Sequence, residues 1–189
     1  MSQYGNYTMD LQKEFAHTIK YRRDLYKLLP VNANTCEVGV AEGLFSTEIL
    51  NWNLGTHYLV DYWGHQKGGG DKASPQQWHD SNYANTLKLI EPFGDRAVIL
   101  KGLSVEMADH IPDDSLYFVN IDCDHTYNAV LNDIKAYWPK LKHGGIMCFH
   151  DYEMPQYGVK QAVVEQFSDR IIYLLPEDAV KDAGAFVIK

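Results

Sequence analysis

This sequence of 189 residues is poor in cysteine and has no long apolar run. Its three cysteines, Cys36, Cys123 and Cys148, form no CxxC pair, and each lies in or beside an apolar segment. We therefore expect reduced thiols in the core rather than disulfides. No window reaches the roughly 18 apolar residues of a membrane span, and the N-terminal region has no signal-peptide core. These absences predict a soluble, cytoplasmic protein without a membrane partner.

Basic residues are also scarce. The chain has 17 lysines and arginines against 25 acidic residues, which gives a formal net charge of −8. The basic residues are scattered, so no predicted surface could follow a run of phosphate groups, and we expect no nucleic-acid partner. With 46% apolar residues, the chain has the length and composition of one domain with a substantial core.

Short apolar runs alternate with helix-like segments along most of the chain. A helical stripe over residues 8–29 ends at Pro30, and the strand-like runs that follow are TCEVGV, HYLVD, AVILKG, SLYFVNID, GGIMCFHD, RIIYLLP and AGAFVIK. Strands separated by helices are typical of a parallel sheet with helices on both faces. The last two runs are joined by a segment too short for a helical crossover, which predicts an antiparallel terminal hairpin. The pattern indicates one doubly wound α/β domain over residues 1–189, with an extra N-terminal helix.

The first strand leads into a turn, CEVGVAEGLFS, in which Gly39 and Gly43 are four residues apart. Such a turn lets backbone N–H groups and a helix N-terminus face a ligand, and plain turn chemistry is the alternative explanation. The pattern differs from the dinucleotide fingerprint G-x-G-x-x-G, because Ala41 takes the middle position and the spacing is one residue short.

Acidic residues in and after this turn narrow the choice of ligand. Glu37 and Glu42 put negative charge where a pyrophosphate would lie, which favours a cationic or zwitterionic ligand. Asp61 ends the second strand, where an acid can accept hydrogen bonds from both hydroxyls of a ribose. The implied ligand is a nucleoside without phosphates. The alternative role for Asp61 is to cap its own loop.

Four motifs together resemble the class I S-adenosylmethionine-dependent methyltransferases, and within them the small-molecule O-methyltransferases of the macrocin and catechol type. They are EVGVAEG, YLVD, VNIDCDHTY and LKHGGIMCFHDY, and the resemblance covers the chain from Thr35 to Lys189. It implies a Rossmann-like, mostly parallel sheet of seven strands in the order 3-2-1-4-5-7-6. It also implies S-adenosylmethionine as the cofactor.

The same resemblance assigns the cofactor contacts. Glu37 and Gly39 would line the methionine end, Asp61 would hold the ribose, and Ser104 would hydrogen-bond near the adenine. The full set of cofactor-binding residues that we expect is Glu37, Gly39, Gly43, Asp61, Ser104 and Asp122.

The fourth strand ends in NIDCDHTY, where Asp122, Asp124 and His125 follow an apolar run without a turn residue. The fifth strand ends in His150 and Asp151, and the ends of neighbouring parallel strands lie about 4.8 Å apart. Two carboxylates and an imidazole at that edge suit a divalent cation such as Mg²⁺, Mn²⁺ or Zn²⁺. The resemblance places the ligands of such a metal at Asp122, His150 and Asp151.

His125 is the predicted general base, and Asp122 is the second predicted catalytic residue. A hydroxyl must lose its proton as it attacks the sulfonium methyl group, and an imidazole with an ordinary pKa of about 6.5 can accept that proton. The alternative is that His125 or Asp124 caps the helix that begins at Thr126, and that the two residues after the fifth strand cap the next segment.

Residues 62–85 form a long polar segment, which we expect to be a substrate lid or loop. Trp63, His65, Trp78 and His79 could enclose an acceptor molecule, and a solvated connection with a short helix is the alternative. The N-terminal helix, within residues 1–30, would either roof the same pocket or cover the sheet or the interface of a homodimer.

We expect an enzyme that transfers a methyl group from S-adenosylmethionine to an oxygen of a small metabolite or sugar, with or without a metal ion. A non-catalytic nucleoside-binding protein of the same fold is one alternative. An NAD-dependent oxidoreductase is the other, and both Glu42 and the terminal hairpin disfavour it.

Overall fold

A computed structural model describes residues 19, 21–68, 71–175 and 184–189. Its strands are β1 Thr35–Val38, β2 His57–Asp61, β3 Ala97–Lys101, β4 Leu116–Ile121, β5 Leu141–Phe149, β6 Tyr173–Leu174 and β7 Ala185–Ile188. Its α-helices are α1 Arg22–Tyr26, α2 Leu44–Trp52, α3 Gln76–Ile90, α4 Ser104–Met107, α5 Tyr127–Tyr137 and α6 Val159–Gln166.

The strands form one seven-stranded sheet in the order β3-β2-β1-β4-β5-β7-β6. The pairings among β1 to β5 are parallel, whereas β7 runs antiparallel to both β5 and β6. The predicted doubly wound sheet and its antiparallel terminal hairpin are therefore confirmed. Residues 176–183, which join β6 to β7, lie outside the described residues.

Side chains of the central strands alternate between two apolar layers. On β4, Phe118 belongs to a cluster with Leu25 and Cys148, whereas the next residue, Val119, belongs to a larger cluster with Ile134 of α5. Because both faces of these strands are covered, the central strands form nearly continuous apolar runs in the sequence.

The predicted N-terminal helix falls largely outside the described residues, which begin with Ile19 and continue from residue 21. The helix described there, α1, has five residues. Leu25 and Tyr26 are buried and, with Ile19, belong to the apolar cluster on the face of the sheet that carries Phe118. This part of the N-terminal region therefore covers the sheet.

The helix after the second strand begins within the segment 62–85 that was predicted to be a lid or loop. α3 begins at Gln76, so residues 76–85 of the predicted lid segment are helical and the connection before it is confined to residues 62–75. The buried face of α3 is mostly polar, with His79, Asn82 and Thr86 ahead of Ile90. An apolar stripe cannot reveal a helix that buries polar side chains.

All three cysteines are free thiols, as predicted. Cys36 and Cys148 are buried in strands of the sheet, and Cys123 follows β4. Within the described residues, no helix has the length and apolar character needed to cross a lipid bilayer.

Candidate functional site

Gly39 lies where the end of β1 packs against the end of β4. Its φ is +94°, and a Cβ atom there would lie 2.0 Å from the carbonyl oxygen of Asp122. The amide of Asp122 in turn donates a hydrogen bond of 2.8 Å to the carbonyl of Val38. Glycine is therefore required both by the backbone conformation and by the close approach of the two strand ends. This contact joins the predicted cofactor loop to the first residue of the acid–histidine motif.

Asp61 holds the loop between β1 and α2. Its Oδ2 accepts hydrogen bonds from the amides of Val40 and Ala41, both at 2.9 Å, and its Oδ1 accepts one from the amide of Trp63 at 2.7 Å. These three hydrogen bonds match the alternative role of Asp61, in which it caps its own loop. A carboxylate has about four acceptor positions, so one remains for a ribose hydroxyl. The ribose contact stays a prediction.

Ala41 adopts a left-handed backbone conformation, with φ at 47°, in the position where we noted the missing glycine. Its carbonyl accepts hydrogen bonds from Trp63 Nε1 at 2.9 Å and from Thr86 Oγ1 at 3.0 Å. Trp63 is buried and packs against Tyr83 of α3. Gly43, with φ at +80°, ends the loop as the N-cap residue of α2. The loop conformation is therefore fixed by side chains of later segments despite the alanine.

Glu37 is buried in β1 and ends a chain of hydrogen-bonded polar side chains. It accepts a hydrogen bond from the hydroxyl of Ser46, which also lies 3.0 Å from His57 Nε2, and His57 Nδ1 lies 2.8 Å from Thr35 Oγ1. Burial raises the pKa of Glu37 to about 8, against the opposing effects of Arg22 and Ser46. Burial lowers the pKa of His57 to about 3. The sequence analysis identified Glu37 but missed Ser46 and His57. Both are polar residues at positions that face the core, and that pattern could have identified them.

Asp122, His125, His150 and Asp151 form a partly buried cluster at the ends of β4 and β5. His125 Nε2 lies 3.5 Å from Asp122 Oδ1 and 3.2 Å from Asp151 Oδ2. His150 Nδ1 lies 3.2 Å from Asp122 Oδ1 and 3.5 Å from Asp151 Oδ1. Because β4 and β5 are parallel neighbours, their ends meet at one edge of the sheet. The cluster contains both residues predicted to be catalytic and the three residues predicted to bind a metal.

The spacing of this cluster approaches that of the ligands of a four-coordinate metal ion, with Asp151 facing the two imidazoles through different oxygens. Its four ligand atoms lie within 4.8 Å of one another, and the imidazole-to-carboxylate distances are between 3.2 and 3.5 Å. An ion with bonds of about 2.0–2.1 Å in tetrahedral geometry has ligand atoms about 3.3–3.4 Å apart. Two imidazoles and two carboxylates suit Zn²⁺, Fe²⁺ or Mn²⁺ better than Mg²⁺, which prefers oxygen ligands. His125 is therefore a fourth candidate metal ligand, in addition to the three that were predicted from the sequence.

The proton on the imidazole of His150 balances the charge of the Asp122 carboxylate. Burial alone would raise the pKa of Asp122, but hydrogen bonds from His125 and His150 hold it well below its usual range. Burial would likewise lower the pKa of His150, but its contacts with Asp122 and Asp151 raise it to about 9. Asp122 is therefore ionised and His150 protonated near neutral pH. A bound cation and a protonated imidazole can satisfy the same carboxylates in alternative states.

Arg22 of α1 contacts the second oxygen of Asp122. Its Nη1 donates to Asp122 Oδ2 at 2.8 Å, and its guanidinium carbon lies 4.0 Å from the centre of the Phe45 ring. Asp122 thus directs Oδ1 toward the two imidazoles and Oδ2 toward the guanidinium. Sequence reasoning missed Arg22, because one basic residue on a short amphipathic segment carries no sign of what it will contact.

Asp124 and His125 differ in role, although both precede α5. Asp124 Oδ1 accepts a hydrogen bond of 3.0 Å from the amide of Thr126, and its carboxylate also pairs with Lys72. The ring of His125 lies in the acid–histidine cluster and stacks on Tyr157, with ring centroids 4.7 Å apart. Asp124 therefore stabilises the turn that leads into α5, whereas the ring of His125 lies in the cluster.

Ser104 begins α4, just after the end of β3. Its hydroxyl donates to Asp133 Oδ1 at 2.5 Å, and its carbonyl accepts a hydrogen bond of 2.7 Å from the hydroxyl of Tyr137. Cys123 Sγ contacts the other oxygen of Asp133 at 3.0 Å, which links Ser104 to the segment after β4. The hydroxyl oxygen can still accept a hydrogen bond, and its contact with adenine stays a prediction.

The connection over residues 62–75 approaches the cluster through Lys72, which pairs with Asp124. Trp63 and His79 are buried, so the structure does not place them in the wall of an open acceptor pocket, whereas His65 is exposed. The aromatic residues of this segment thus serve partly as core, and its role as a lid stays a prediction.

A surface groove of about 530 Å³, open to solvent, lies between the segment after β5 and helix α6. Aromatic, apolar and charged side chains line it, among them Tyr152, Met154, Pro155, Tyr157, Lys160 and Val164. Because Tyr157 also stacks on His125, this groove adjoins the predicted base. Its volume falls within the range of about 300–1,000 Å³ that is typical of small-molecule sites.

A family model for a methyltransferase domain matches residues 36–152, which is more than half of the chain. The chain belongs to this family, whose cofactor is S-adenosylmethionine. The match begins in β1 and ends just after β5, so it includes the glycine loop, Asp61 and the whole acid–histidine cluster. A comparison with curated proteins gives no match.

Solved structures with the same fold include small-molecule and RNA methyltransferases. The chain is 17% identical to CalS11, a calicheamicin methyltransferase, with 95% of this chain and 78% of that chain covered and a TM-score of 0.64. It is 20% identical to the O-methyltransferase NovP, with coverages of 84% and 72% and a TM-score of 0.59. It is 16% identical to a putative rRNA-methylase from Clostridium thermocellum, with coverages of 88% and 94% and a TM-score of 0.62. At these identities the similarity concerns the fold.

Proposed function

We propose that this protein transfers the methyl group of S-adenosylmethionine to an oxygen atom of a small metabolite or sugar. The observation that carries the proposal is the shared boundary between the cofactor loop and the acid–histidine cluster. The Cα of Gly39 packs directly on the backbone of Asp122, whose side chain belongs to the cluster. A methyl donor seated on the loop would therefore present its sulfonium group beside residues that can accept a proton.

His125 acts as the general base in this proposal. The acceptor hydroxyl attacks the methyl carbon, the bond between that carbon and sulphur breaks, and the hydroxyl proton passes to the imidazole of His125. The products are the methyl ether and S-adenosylhomocysteine. Asp122 and Asp151, at 3.5 and 3.2 Å from Nε2, stabilise the imidazolium that forms. The in-line arrangement of oxygen, methyl and sulphur supplies the remaining rate advantage.

The residues of the cluster also fit a divalent cation. Asp122, His150 and Asp151 would hold it, and a bound cation would act as a Lewis acid that favours loss of the acceptor proton. His125 would then remain the base or become the fourth ligand. Activity without a metal ion would support His125 as the base, and a strict requirement for a metal ion would support His125 as the fourth ligand.

A small acceptor is supported by the size of the groove and by charge. The groove beside Tyr157 has the volume of a small-molecule site, and the net charge of −8 opposes an RNA acceptor. Among proteins of the same fold, CalS11 is described as a TDP-rhamnose 3'-O-methyltransferase and NovP as an O-methyltransferase. We accordingly favour a hydroxyl on a sugar or an aromatic ring.

Methyl transfer from labelled S-adenosylmethionine to a panel of catechols and nucleoside-diphosphate sugars tests the proposal. We expect His125→Ala to reduce kcat by about 10²–10⁴-fold, which is the usual contribution of a general base. His143→Ala is the matched control, because His143 is an exposed histidine at the opposite end of β5. Wild-type activity in His125→Ala, or a protein stabilised by NADH and not by S-adenosylhomocysteine, would contradict the proposal.

A further inference from the structure

The segment over residues 151–158, which leads from the end of β5 into α6, contacts His125 at three points. Oδ2 of Asp151 lies 3.2 Å from its Nε2, the ring of Tyr157 stacks on its imidazole, and the amide of Gly158 donates a hydrogen bond of 2.9 Å to its carbonyl. One short stretch of chain therefore touches the edge, the face and the backbone of the same residue.

The backbone of this segment is wound into two successive turns. The amide of Met154 donates to the carbonyl of Asp151, and the amide of Tyr157 donates to the carbonyl of Met154, both at 3.1 Å. Asp151 begins the first turn in a left-handed conformation, with φ at 55°. At Gly158 a Cβ atom would lie 2.3 Å from the amide nitrogen of Tyr127, so only glycine permits this approach to the start of α5. The position of the Tyr157 ring is therefore set by backbone contacts on both sides of it.

The stacked pair restrains the plane of the imidazole. The rings of Tyr157 and His125 are inclined by 20° with centroids 4.7 Å apart, which is the arrangement of an offset-stacked aromatic pair. The distances from Nε2 to the carboxylates of Asp122 and Asp151, 3.5 and 3.2 Å, are long for hydrogen bonds, so these contacts alone hold the ring loosely. A general base must keep its nitrogen within hydrogen-bond reach of the proton that it removes. Stacking on Tyr157 supplies the restraint that the carboxylates do not.

Tyr157 lies at the surface and adds little to the core. It is 39% exposed and lines the groove beside α6, whereas Tyr152 in the same segment is buried in the larger apolar cluster. The contact with His125 uses the face of the Tyr157 ring rather than its hydroxyl. Tyr157 therefore connects the groove proposed for the acceptor to the imidazole that the acceptor must reach.

We propose that Tyr157 is a positioning residue for the general base, and that it holds the imidazole of His125 in the plane in which the ring receives the proton of the acceptor. The inference rests on the proposed function, in which His125 takes that proton. Nε2 is buried beside the carboxylates of Asp122 and Asp151, so Nδ1 is the nitrogen that receives the proton. A rotation of the ring away from Tyr157 would move Nδ1 out of reach of the acceptor hydroxyl.

Steady-state kinetics of two variants test the inference, with the catechol or nucleoside-diphosphate sugar that the wild type methylates fastest as the acceptor. We expect Tyr157→Leu to lower kcat about 3–10-fold at an unchanged KM for S-adenosylmethionine, because the stacked pair is lost. Tyr157→Phe keeps the face of the ring and should retain the wild-type kcat. Trp52→Leu is the matched control, since Trp52 is an exposed aromatic residue at the end of α2 farther from the glycine loop.

The NMR signals of the His125 ring give a second measurement that needs no activity. The ring current of a stacked tyrosine shifts the carbon-bound protons of the imidazole upfield, so these signals, assigned by their loss in His125→Ala, should move downfield in Tyr157→Leu and stay in place in Tyr157→Phe. Unmoved signals, a rise in the acceptor KM without a loss of kcat in Tyr157→Leu, or equal losses of kcat in both variants would overturn the inference and leave the proposed function standing. Absence of methyl transfer by the wild type to every acceptor of the panel would overturn both.

Discussion

At the scale of single residues, Asp122 connects the two halves of the site. Its backbone carbonyl packs on Gly39, its Oδ1 faces His125 and His150, and its Oδ2 binds Arg22. One residue therefore contacts the cofactor loop through its backbone, and the proton-accepting cluster and the N-terminal helix through its carboxylate. Substitution of this residue would disturb all three, so more selective changes are needed to separate their roles.

Substitution of Gly39 should show that the two strand ends need close contact. Gly39→Ala places a Cβ 2.0 Å from the Asp122 carbonyl oxygen at a φ of +94°, and we expect a loss of about 3 kcal/mol or more in the free energy of unfolding. Gly144→Ala is the control, because Gly144 has a φ of +80° and nothing within 4 Å of the added Cβ. It should lose only about 1 kcal/mol. Similar losses in urea denaturation of the two variants would count against the predicted contact.

The buried Glu37 should make stability fall as the pH rises. Its ordinary pKa is 4.5 and its pKa in the folded protein is about 8, so the folded state retains a proton that the unfolded state releases. The stabilising contribution is therefore full below pH 4.5 and is lost as the pH approaches 8. Between about pH 5 and 8 the wild type should lose on the order of 3–4 kcal/mol more than Glu37→Gln. Parallel pH profiles of the two proteins in urea denaturation would refute this.

The sequence allowed the prediction of those site residues that lie close to the end of a recognisable apolar strand. Asp122 and His150 directly follow apolar strands, and His125 and Asp151 come within four residues of the same strand ends, which marks the carboxyl edge of a parallel sheet. Arg22 was missed for a physical reason. Its partner, Asp122, is distant in sequence, so only the folded structure brings the two together.

At the scale of elements, the segments around the site differ in how firmly they are held. α3 is fixed by buried polar residues, and the hydroxyl of Thr86 binds the carbonyl of Ala41 in the glycine loop. The connection before α3 is tied to the segment between β4 and α5 by the pair between Lys72 and Asp124. Sequence periodicity found the helices with apolar stripes and missed the first half of α3, because the buried positions there are occupied by His79 and Asn82.

The pair between Lys72 and Asp124 should control the mobility of the predicted lid. Lys72→Ala is expected to speed hydrogen exchange over residues 62–75 while it changes the free energy of unfolding by less than about 1 kcal/mol, because both partners are partly exposed. Lys67→Ala, an exposed lysine in the same segment, is the control. Unchanged exchange in Lys72→Ala would show that this pair does not hold the segment.

At the scale of the whole molecule, the site extends beyond the part that matches the family. The loop, the acids and the histidines lie within residues 36–152, whereas α1 contributes Arg22 from outside it. The strand order was predictable, because the resemblance carries it and the short terminal connection supports it. The position of α1 on the sheet was not, since an amphipathic stripe alone does not say which surface it will cover.

Metal binding would be visible as a change in the stability of the whole protein. If Zn²⁺ or Mn²⁺ binds the cluster, a concentration of 100 times Kd should add about 2.7 kcal/mol, or roughly 5–10 °C in Tm. His150→Ala should abolish this shift, and His143→Ala should retain it, because His143 lies at the other end of β5. An equal shift in both variants, measured by thermal denaturation, would place the metal elsewhere.

The most direct measurement of the central claim is a crystal structure with S-adenosylhomocysteine bound. If the glycine loop and the acid–histidine cluster share one site, the sulphur should lie within roughly 8 Å of His125 Nε2, which leaves room for a methyl group and an acceptor oxygen in line. A sulphur atom separated from that imidazole by α1 or by the backbone of Asp122, or a ligand bound away from Gly39, would contradict the account.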